Sequence, residues 1–447
     1  IITRLINTSD YGALSMFNTY TNIAVMILCL GLDQALIRFY YDDDSEEYKR
    51  LLVSNTAWVS IIVAVIVCSL GYGILNAKFI EFDFKGEMLL FLFIYILVQL
   101  GFRFTQLLLR VEYKTKMYAF LNSANKALYL IMIVFAVLTG YSKNNLRTLI
   151  IATILAAILP LIVGVFTERK LWKLTLNTSV MFDKRKILKY GFPFIFSMGV
   201  TTLFEALDKL SINYFCDYSE VGIYSSAVTI VNVFTIIQTT FNTIWSPMSI
   251  EHYTNDSEDK TFFRYVNDIM TCLMFCFGCS LIVFKDLFIL LLGENYRAGA
   301  CIIPFLIFHP IMYTVSETTS MGIDFSKKSY LHIIVALVAC ITNAIGNYIL
   351  VPKFGGQGAA ISTGISYIVF FLVRTYFGEK NYNCSLSLKK IGCLICVTLT
   401  YSFYASFFEF DWKSIILYLC CIFIIFTLYK NTIKDLLKHR VKVLKRG

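Results

Sequence analysis

The chain has 447 residues, of which 57% are hydrophobic, 16% aromatic and only 16% charged, with a formal net charge of +10. Its mean hydropathy is +0.67. Soluble domains carry about 25% charged residues, so this composition excludes a water-soluble fold and points to a chain that crosses a membrane repeatedly.

Apolar runs of bilayer-spanning length follow one another at 12–40, 51–75, 87–109, 117–139, 146–167, 187–215, 222–248, 264–292, 299–323, 329–351, 357–378, 389–408 and 413–430. None shows the two-residue alternation of a membrane barrel strand. Backbone groups in lipid must be satisfied within the segment, so the expectation is an all-α polytopic protein with thirteen helices. The chain opens on IITRLINTSDYG, with neither a Met nor a cleavable signal pattern. It reads as lacking a first helix, which would bring the scheme to fourteen. The 13 cysteines lie mostly inside apolar runs. Neither Cys272, Cys276 and Cys279 nor Cys393 and Cys396 has a His or acidic residue beside it, so small buried or lipid-facing side chains are the better reading, with no metal and no cofactor.

Lys and Arg orient the spans. If the 41–50 loop is cytoplasmic, so are Lys49 and Arg50, Arg169 and Lys170, Lys184, Arg185 and Lys186, Arg374 and Lys380, and the basic tail 431–447. The opposite loops hold far fewer, as the positive-inside rule requires. The C-terminus is then cytoplasmic, and the positive charge is an inner-face bias rather than a nucleic-acid footprint.

The most acidic stretch, YYDDDSEEYKRL at 40–51, offers a metal-like Asp42-x-Asp44 spacing. It recurs in altered form: YDDDSEE at 41–47 returns as YTNDSED at 253–259, where Thr254 and Asn255 break the metal spacing. SDYG at 9–12 returns as SEVG at 219–222, and Lys116 and Tyr118 return as Lys328 and Tyr330. Matches in order at a nearly constant offset mark an internal duplication, and the acidic stretch reads as a solvated hairpin. Each unit contains six spans, so both copies have the same orientation and are related by an axis along the membrane normal. Two such lobes would enclose a central cavity. The expected division is an N-lobe at 1–167, a linker at 168–186, a C-lobe at 187–378, two extra helices at 389–430 and the tail.

Motifs spread along the chain carry a family resemblance. They are Ser9-Asp10-Tyr11-Gly12, Gly31-Leu32-Asp33 with Arg38-Phe39-Tyr40-Tyr41, Tyr190-Gly191-Phe192-Pro193, Asp208-Lys209 and Ser219-Glu220-Val221-Gly222. Further on come Gly322-Ile323, Asn343 and Asn347, and Pro352-x-x-Gly355-x-x-Gly358-Ala359-Ala360. The ordered set resembles the Wzx-like polysaccharide-unit flippases of the multidrug/oligosaccharidyl-lipid/polysaccharide (MOP) exporter superfamily. The resemblance implies alternating access in a bacterial cytoplasmic membrane and export of a lipid-linked oligosaccharide. It also implies coupling to a proton or cation, with polysaccharide polymerases as possible partners.

Ionisable residues inside spans are costly and usually face a cavity or a partner. In the first lobe these are Asp33, Arg38, Arg103, Arg110 and Lys126. Arg103 and Arg110 share a helical face, and Lys126 lies about 15 Å along its helix from Lys116. A cationic lobe suits a lipid pyrophosphate, whereas Arg38 and Arg110, near helix ends, could instead snorkel to the interface. In the second lobe, Glu205, Asp208 and Lys209 share a face and could pair locally or form an ion-coupling site. Glu317 has no sequence neighbour to pair with, which favours a coupling role, and His309 beside Pro310 reads as a helix-bend residue. Pro193, Pro304 and Pro310 permit kinks. The substrate-binding set is therefore Arg38, Arg103, Arg110, Lys126 and Lys209, and the coupling set is Asp33, Glu205, Asp208 and Glu317. No phosphate-binding GxxxxGK[ST] loop, HExxH or GxSxG is present, so a transporter rather than an enzyme is expected. The competing readings are a peptidoglycan-precursor flippase, a drug/cation antiporter of the same superfamily, and a membrane glycosyltransferase or polymerase using Asp42 and Asp44.

Overall fold

Long apolar runs with few breakers fold as helices, and the computed structural model, which describes residues 2–76, 82–138, 145–175 and 184–435, contains only helical regular elements among them. In chain order they are α1 (Thr8–Leu28), α2 (Leu32–Phe39), α3 (Glu46–Leu75), α4 (Glu87–Val111), α5 (Thr115–Leu138), α6 (Asn145–Thr167) and α7 (Lys184–Phe215). There follow α8 (Tyr218–Asn255), α9 (Lys260–Val283), α10 (Ile303–Thr319), α11 (Tyr330–Asn381), α12 (Leu388–Phe407) and α13 (Trp412–Leu428). The thirteen hydropathy spans fall on these helices: 12–40 on the pair α1 and α2, 329–351 and 357–378 on the two halves of α11, and each of the others on one helix. The middle of the 168–186 linker and the tail from 436 lie outside the described residues.

The departures from simple rods have local causes. Leu30 and Gly31 both adopt left-handed backbone, with φ of 53° and 67°, and this turns α2 by 55° from α1 so that the two form one bent span. A Cβ on Gly31 would lie 2.0 Å from the Gly191 carbonyl oxygen of α7, so close backbone approach requires glycine here as well. α11 is a helical hairpin. Gly355 at φ 54° and ψ −133° breaks it, and its two halves lie so close that a Cβ on Gly358 would meet the Leu350 carbonyl oxygen at 2.4 Å. The Pro352-x-x-Gly355-x-x-Gly358 motif is thus a turn between antiparallel helices.

Buried apolar side chains form two main clusters, one from residues within 6–187 and the other from residues within 204–429 plus Met16. The lobes meet at the two copies of the duplicated motif. Asn7 caps α1 by accepting from the Asp10 N–H (2.7 Å), and Asp217 caps α8 by accepting from the Glu220 N–H (2.9 Å). The two capped starts then pack on one another. A Cβ on Gly12 would lie 1.7 Å from the Tyr218 carbonyl oxygen, and one on Gly222 would lie 2.0 Å from that of Thr8. Hydroxyl pairs Thr8–Ser219 (2.6 Å) and Ser15–Ser225 (2.7 Å) flank the crossing. Arg4 donates to the carbonyl oxygens of Leu290 and Leu291, and Tyr296 to those of Ile6 and Asn7. Asp83 accepts from Tyr20 on α1 (2.6 Å) and from Asn213 on α7 (2.7 Å). This end of the molecule, opposite the 41–45 loop, is sealed.

One buried ion pair fixes the bent span within the first lobe. Asp33, with 1% of its side chain exposed, accepts from Arg103 Nη2 at 2.5 Å and from Nε at 3.1 Å. This ties α2 to α4, and removing one partner leaves a buried charge, at a cost of about 3–5 kcal/mol. Arg103→Ala is therefore expected to lower thermal stability in detergent sharply, and adding Asp33→Asn to recover much of the loss. A double variant as unstable as Arg103→Ala would remove the pair from this role.

Candidate substrate cavity

A cavity of about 990 Å³ lies between the lobes, at the upper end of the size range of small-ligand sites. The first lobe contributes Thr19, Asn22 and Ile23 from α1 and Lys126 from α5. The second lobe supplies most of the wall. Thr201, Glu205, Asp208 and Lys209 come from α7, Tyr224, Asn232 and Gln238 from α8, His309 and Tyr313 from α10, and His332, Thr363, Tyr367, Phe370 and Arg374 from α11.

The structure thus brings four of the sequence-selected residues to one space: Lys126, Glu205, Asp208 and Lys209. The last three share one face of α7 because they are three and four residues apart. Lys126 and Lys209 make no hydrogen bond or close salt bridge among the described residues, although Lys209 stays within electrostatic reach of the Asp208 and Glu205 carboxylates beside it on α7. Ammonium groups at a cavity wall with no carboxylate in direct contact are available to an anion.

Asp208 is treated differently. Its carboxylate is buried and accepts from Asn343 Nδ2 (3.0 Å) and Asn347 Nδ2 (2.9 Å), and from the hydroxyls of Tyr224 and Thr363. Asn343 and Asn347 are four apart on the first half of the α11 hairpin, Thr363 is on the second half, and Tyr224 is on α8. Three helices therefore converge on one carboxylate. Asn347 Nδ2 also donates to Asn343 Oδ1 (3.1 Å), and Ser362 Oγ donates to the Asn343 carbonyl oxygen (2.9 Å). Asn347 Oδ1 has no partner.

Glu317 does have a partner, one that sequence reasoning placed with the loop charges. Arg374 lies inside the hairpin with 8% of its side chain exposed, donating to Glu317 Oε1 at 2.7 Å and to Ser316 Oγ at 2.9 Å. Its guanidinium also lies 5.6 Å from the ring centres of both Tyr313 and Phe370. The signal was present in the run FFLVRTYF at 370–377, where one Arg interrupts aromatics. His309, read as a bend residue, lies on the cavity stacked 4.2 Å from Tyr367. The bend itself, 53°, comes earlier, between Cys301 and Ile303.

The remaining selected residues do not line the cavity. Asp33 and Arg103 pair with each other, as described. Arg38 pairs with Asp42 at 3.2 Å, and Arg110 is exposed in the last turn of α4. The Asp42-x-Asp44 loop is held by ordinary contacts. Asp42 also meets Lys186 (3.6 Å), Asp44 meets Lys49 (3.9 Å), and Asp43 accepts from the Ser45 N–H (2.8 Å). That backbone hydrogen bond, together with one from the Ser45 hydroxyl, holds the Asp43 carboxyl below its ordinary range. No group of three His, Cys, Asp or Glu suited to a metal occurs among the described residues.

Comparison with known proteins agrees with this architecture. The fold matches an inward-closed structure of the lipid II flippase MurJ with a TM-score of 0.69 at 15% identity, covering 96% of this chain and 94% of that one. It matches an inward-facing multidrug resistance MATE family transporter of the MOP superfamily with a TM-score of 0.60 at 17% identity, covering 87% and 93%. An uncharacterized membrane protein of Methanocaldococcus jannaschii is 21% identical over 395 residues, 83% of this chain and 78% of its own length. Residues 1–300 match the family described as polysaccharide biosynthesis protein. This multi-pass membrane chain, with the two-lobed helical fold of the MOP superfamily, belongs to the polysaccharide biosynthesis protein family.

Proposed function

We propose that the protein is a flippase that carries a lipid-linked oligosaccharide across a bacterial cytoplasmic membrane by alternating access of its two lobes. The observation that carries this reading is the interlobe cavity, which holds the unpaired ammonium groups of Lys126 and Lys209 and is sealed at one end by the α1–α8 crossing. A pyrophosphate drawn out of water needs cations that are not already neutralised, and these two face it from opposite lobes. The sealed end is the outer one, and the basic loops and C-terminus are cytoplasmic. The polyprenyl tail stays in lipid, beside exposed apolar side chains such as Phe120 and Ile131 on α5 and Val233 on α8. The match to a lipid II flippase supports a lipid-linked substrate over a small drug.

Coupling falls to Asp208. Its carboxylate is held by four donors from α8 and the two halves of α11. A proton or small cation arriving there requires the asparagine amides to turn, and this repacks α7, α8 and α11 against one another. Transport is favoured over catalysis at the 42–44 loop, where Asp42 is paired with Arg38 and Lys186 and Asp43 is held by Ser45.

Three outcomes are expected. In proteoliposomes carrying a fluorescent polyprenyl-pyrophosphate oligosaccharide, Lys126→Ala and Lys209→Ala should each slow leaflet transfer at least tenfold; wild-type rates in both would remove the cationic site. Asp208→Asn should abolish stimulation by an imposed ion gradient while leaving substrate binding within about threefold, and intact stimulation would exclude Asp208 from coupling. A disulfide between Thr8→Cys and Ser219→Cys should arrest transfer until reduced. Transfer through the cross-linked protein would show that the sealed end need not open.

A further inference from the structure

The α10–α11 part of the second-lobe wall is built differently from the α7 part that carries Glu205, Asp208 and Lys209. Tyr313 and Phe370 lie face to face at 5.6 Å with 12° between their planes. Tyr367 stacks on His309 at 4.2 Å and tilts against Phe370 at 6.0 Å. All four rings line the cavity; Tyr367 is buried, while His309, Tyr313 and Phe370 are partly exposed to it. Arg374 fixes their positions, being held by Glu317 and lying over Tyr313 and Phe370. The ion pair explains why an arginine and a glutamate sit mid-span without a direct charge role: they position the rings.

A second observation points to a ligand. Gln238 on α8 lines the same cavity, is only 9% exposed, and its Oε1 is buried without any hydrogen-bond partner. An unpaired buried acceptor costs about 1–3 kcal/mol, and native structures rarely tolerate one without reason. Turning of the amide toward the cavity would offer that acceptor to a ligand hydroxyl. Few ligand classes want both surfaces. A pyranose ring presents apolar C–H faces that stack on aromatic rings and a rim of hydroxyls that pair with amides, whereas a pyrophosphate wants neither.

We propose that the saccharide portion of the substrate binds against the second-lobe wall formed by Tyr313, Tyr367 and Phe370, with Gln238 as hydroxyl acceptor, separate from the Lys126–Lys209 charges. This deepens the flippase reading and rests on it. The wall selects the sugar and the lysines hold the lipid phosphates, so specificity and affinity have different residues.

The test compares two probes on the purified full-length chain in detergent: a short-chain polyprenyl pyrophosphate, and the same lipid bearing each of a small set of hexose or N-acetylhexosamine oligosaccharides. Wild type is expected to bind at least one glycosylated lipid about tenfold more tightly than the bare one. Gln238→Leu and Phe370→Leu should each reduce that ratio to about threefold or less at unchanged thermal stability. Lys126→Ala should weaken both probes and leave the ratio intact. Equal affinity of wild type for bare and all glycosylated lipids overturns the saccharide wall alone, as does a preference that survives in both folded variants. Failure of wild type to bind either kind of lipid overturns the flippase reading and this inference with it.

Discussion

Two helix starts related by the internal duplication touch backbone to backbone at Gly12 and Gly222, and the arrangement of the lobes follows from that contact. Only hydrogen atoms at both positions allow α1 and α8 to approach so closely that a methyl group on either would overlap a carbonyl oxygen of the other. Within lipid there is little hydrophobic drive between helices, and small residues that permit close packing take its place. The Thr8–Ser219 and Ser15–Ser225 hydroxyl pairs add hydrogen bonds, yet polar contacts of this kind in membranes are individually weak. A seam made of close packing and modest hydrogen bonds holds the lobes in register and can still separate. A large apolar interface or a buried salt bridge would not release so readily.

Charge inside the molecule is handled in three ways, and the differences sort its roles. Asp33 with Arg103 and Glu317 with Arg374 are closed pairs, each joining two helices of one lobe. Asp208 makes no close salt bridge among the described residues and is held by neutral donors from α8 and both halves of α11, with Lys209 nearby. Lys126 and Lys209 are left open at the cavity wall. Low dielectric makes each arrangement consequential. A closed pair is stable and inert, a carboxylate among neutral donors can change partners, and an unpaired ammonium waits for an anion.

Much of the fold was legible because its determinants are local or periodic. Span length follows from hydropathy, the turn at Gly355 follows from glycine and proline placement, and the duplication shows in short motifs near the starts of equivalent helices; the break at Gly31, inside the single apolar run from 12 to 40, gave no hydropathy signal. The site was legible only in part. Glu205, Asp208 and Lys209 are neighbours along one helix, so their spacing revealed their common face. The partners of Arg103 and Glu317 lie 70 and 57 residues away, and no pattern within a span reports a contact between spans. Hence Arg103 read as a free cation when Asp33 neutralises it, and Arg374 read as a loop charge when it lies buried among aromatics. Gln238 gave no signal, since a lone amide in an apolar run becomes notable only once its oxygen is seen to lack a donor.

The α11 hairpin has a mechanical consequence. Thr363, Tyr367, Phe370 and Arg374 recur at helical intervals on its second half, one stripe about 16 Å long. At one end of the stripe Thr363 grips Asp208, and at the other Arg374 grips Glu317. The tight turn at Gly355 binds the first half, with Asn343 and Asn347, to the same rigid body. On the proposed coupling at Asp208 the hairpin is a lever: a rotation begun at the carboxylate by a proton or small cation would tilt the whole row of rings. Whatever lies against those rings would then be gripped or let go in step with the ion, with no moving loop needed to carry the message.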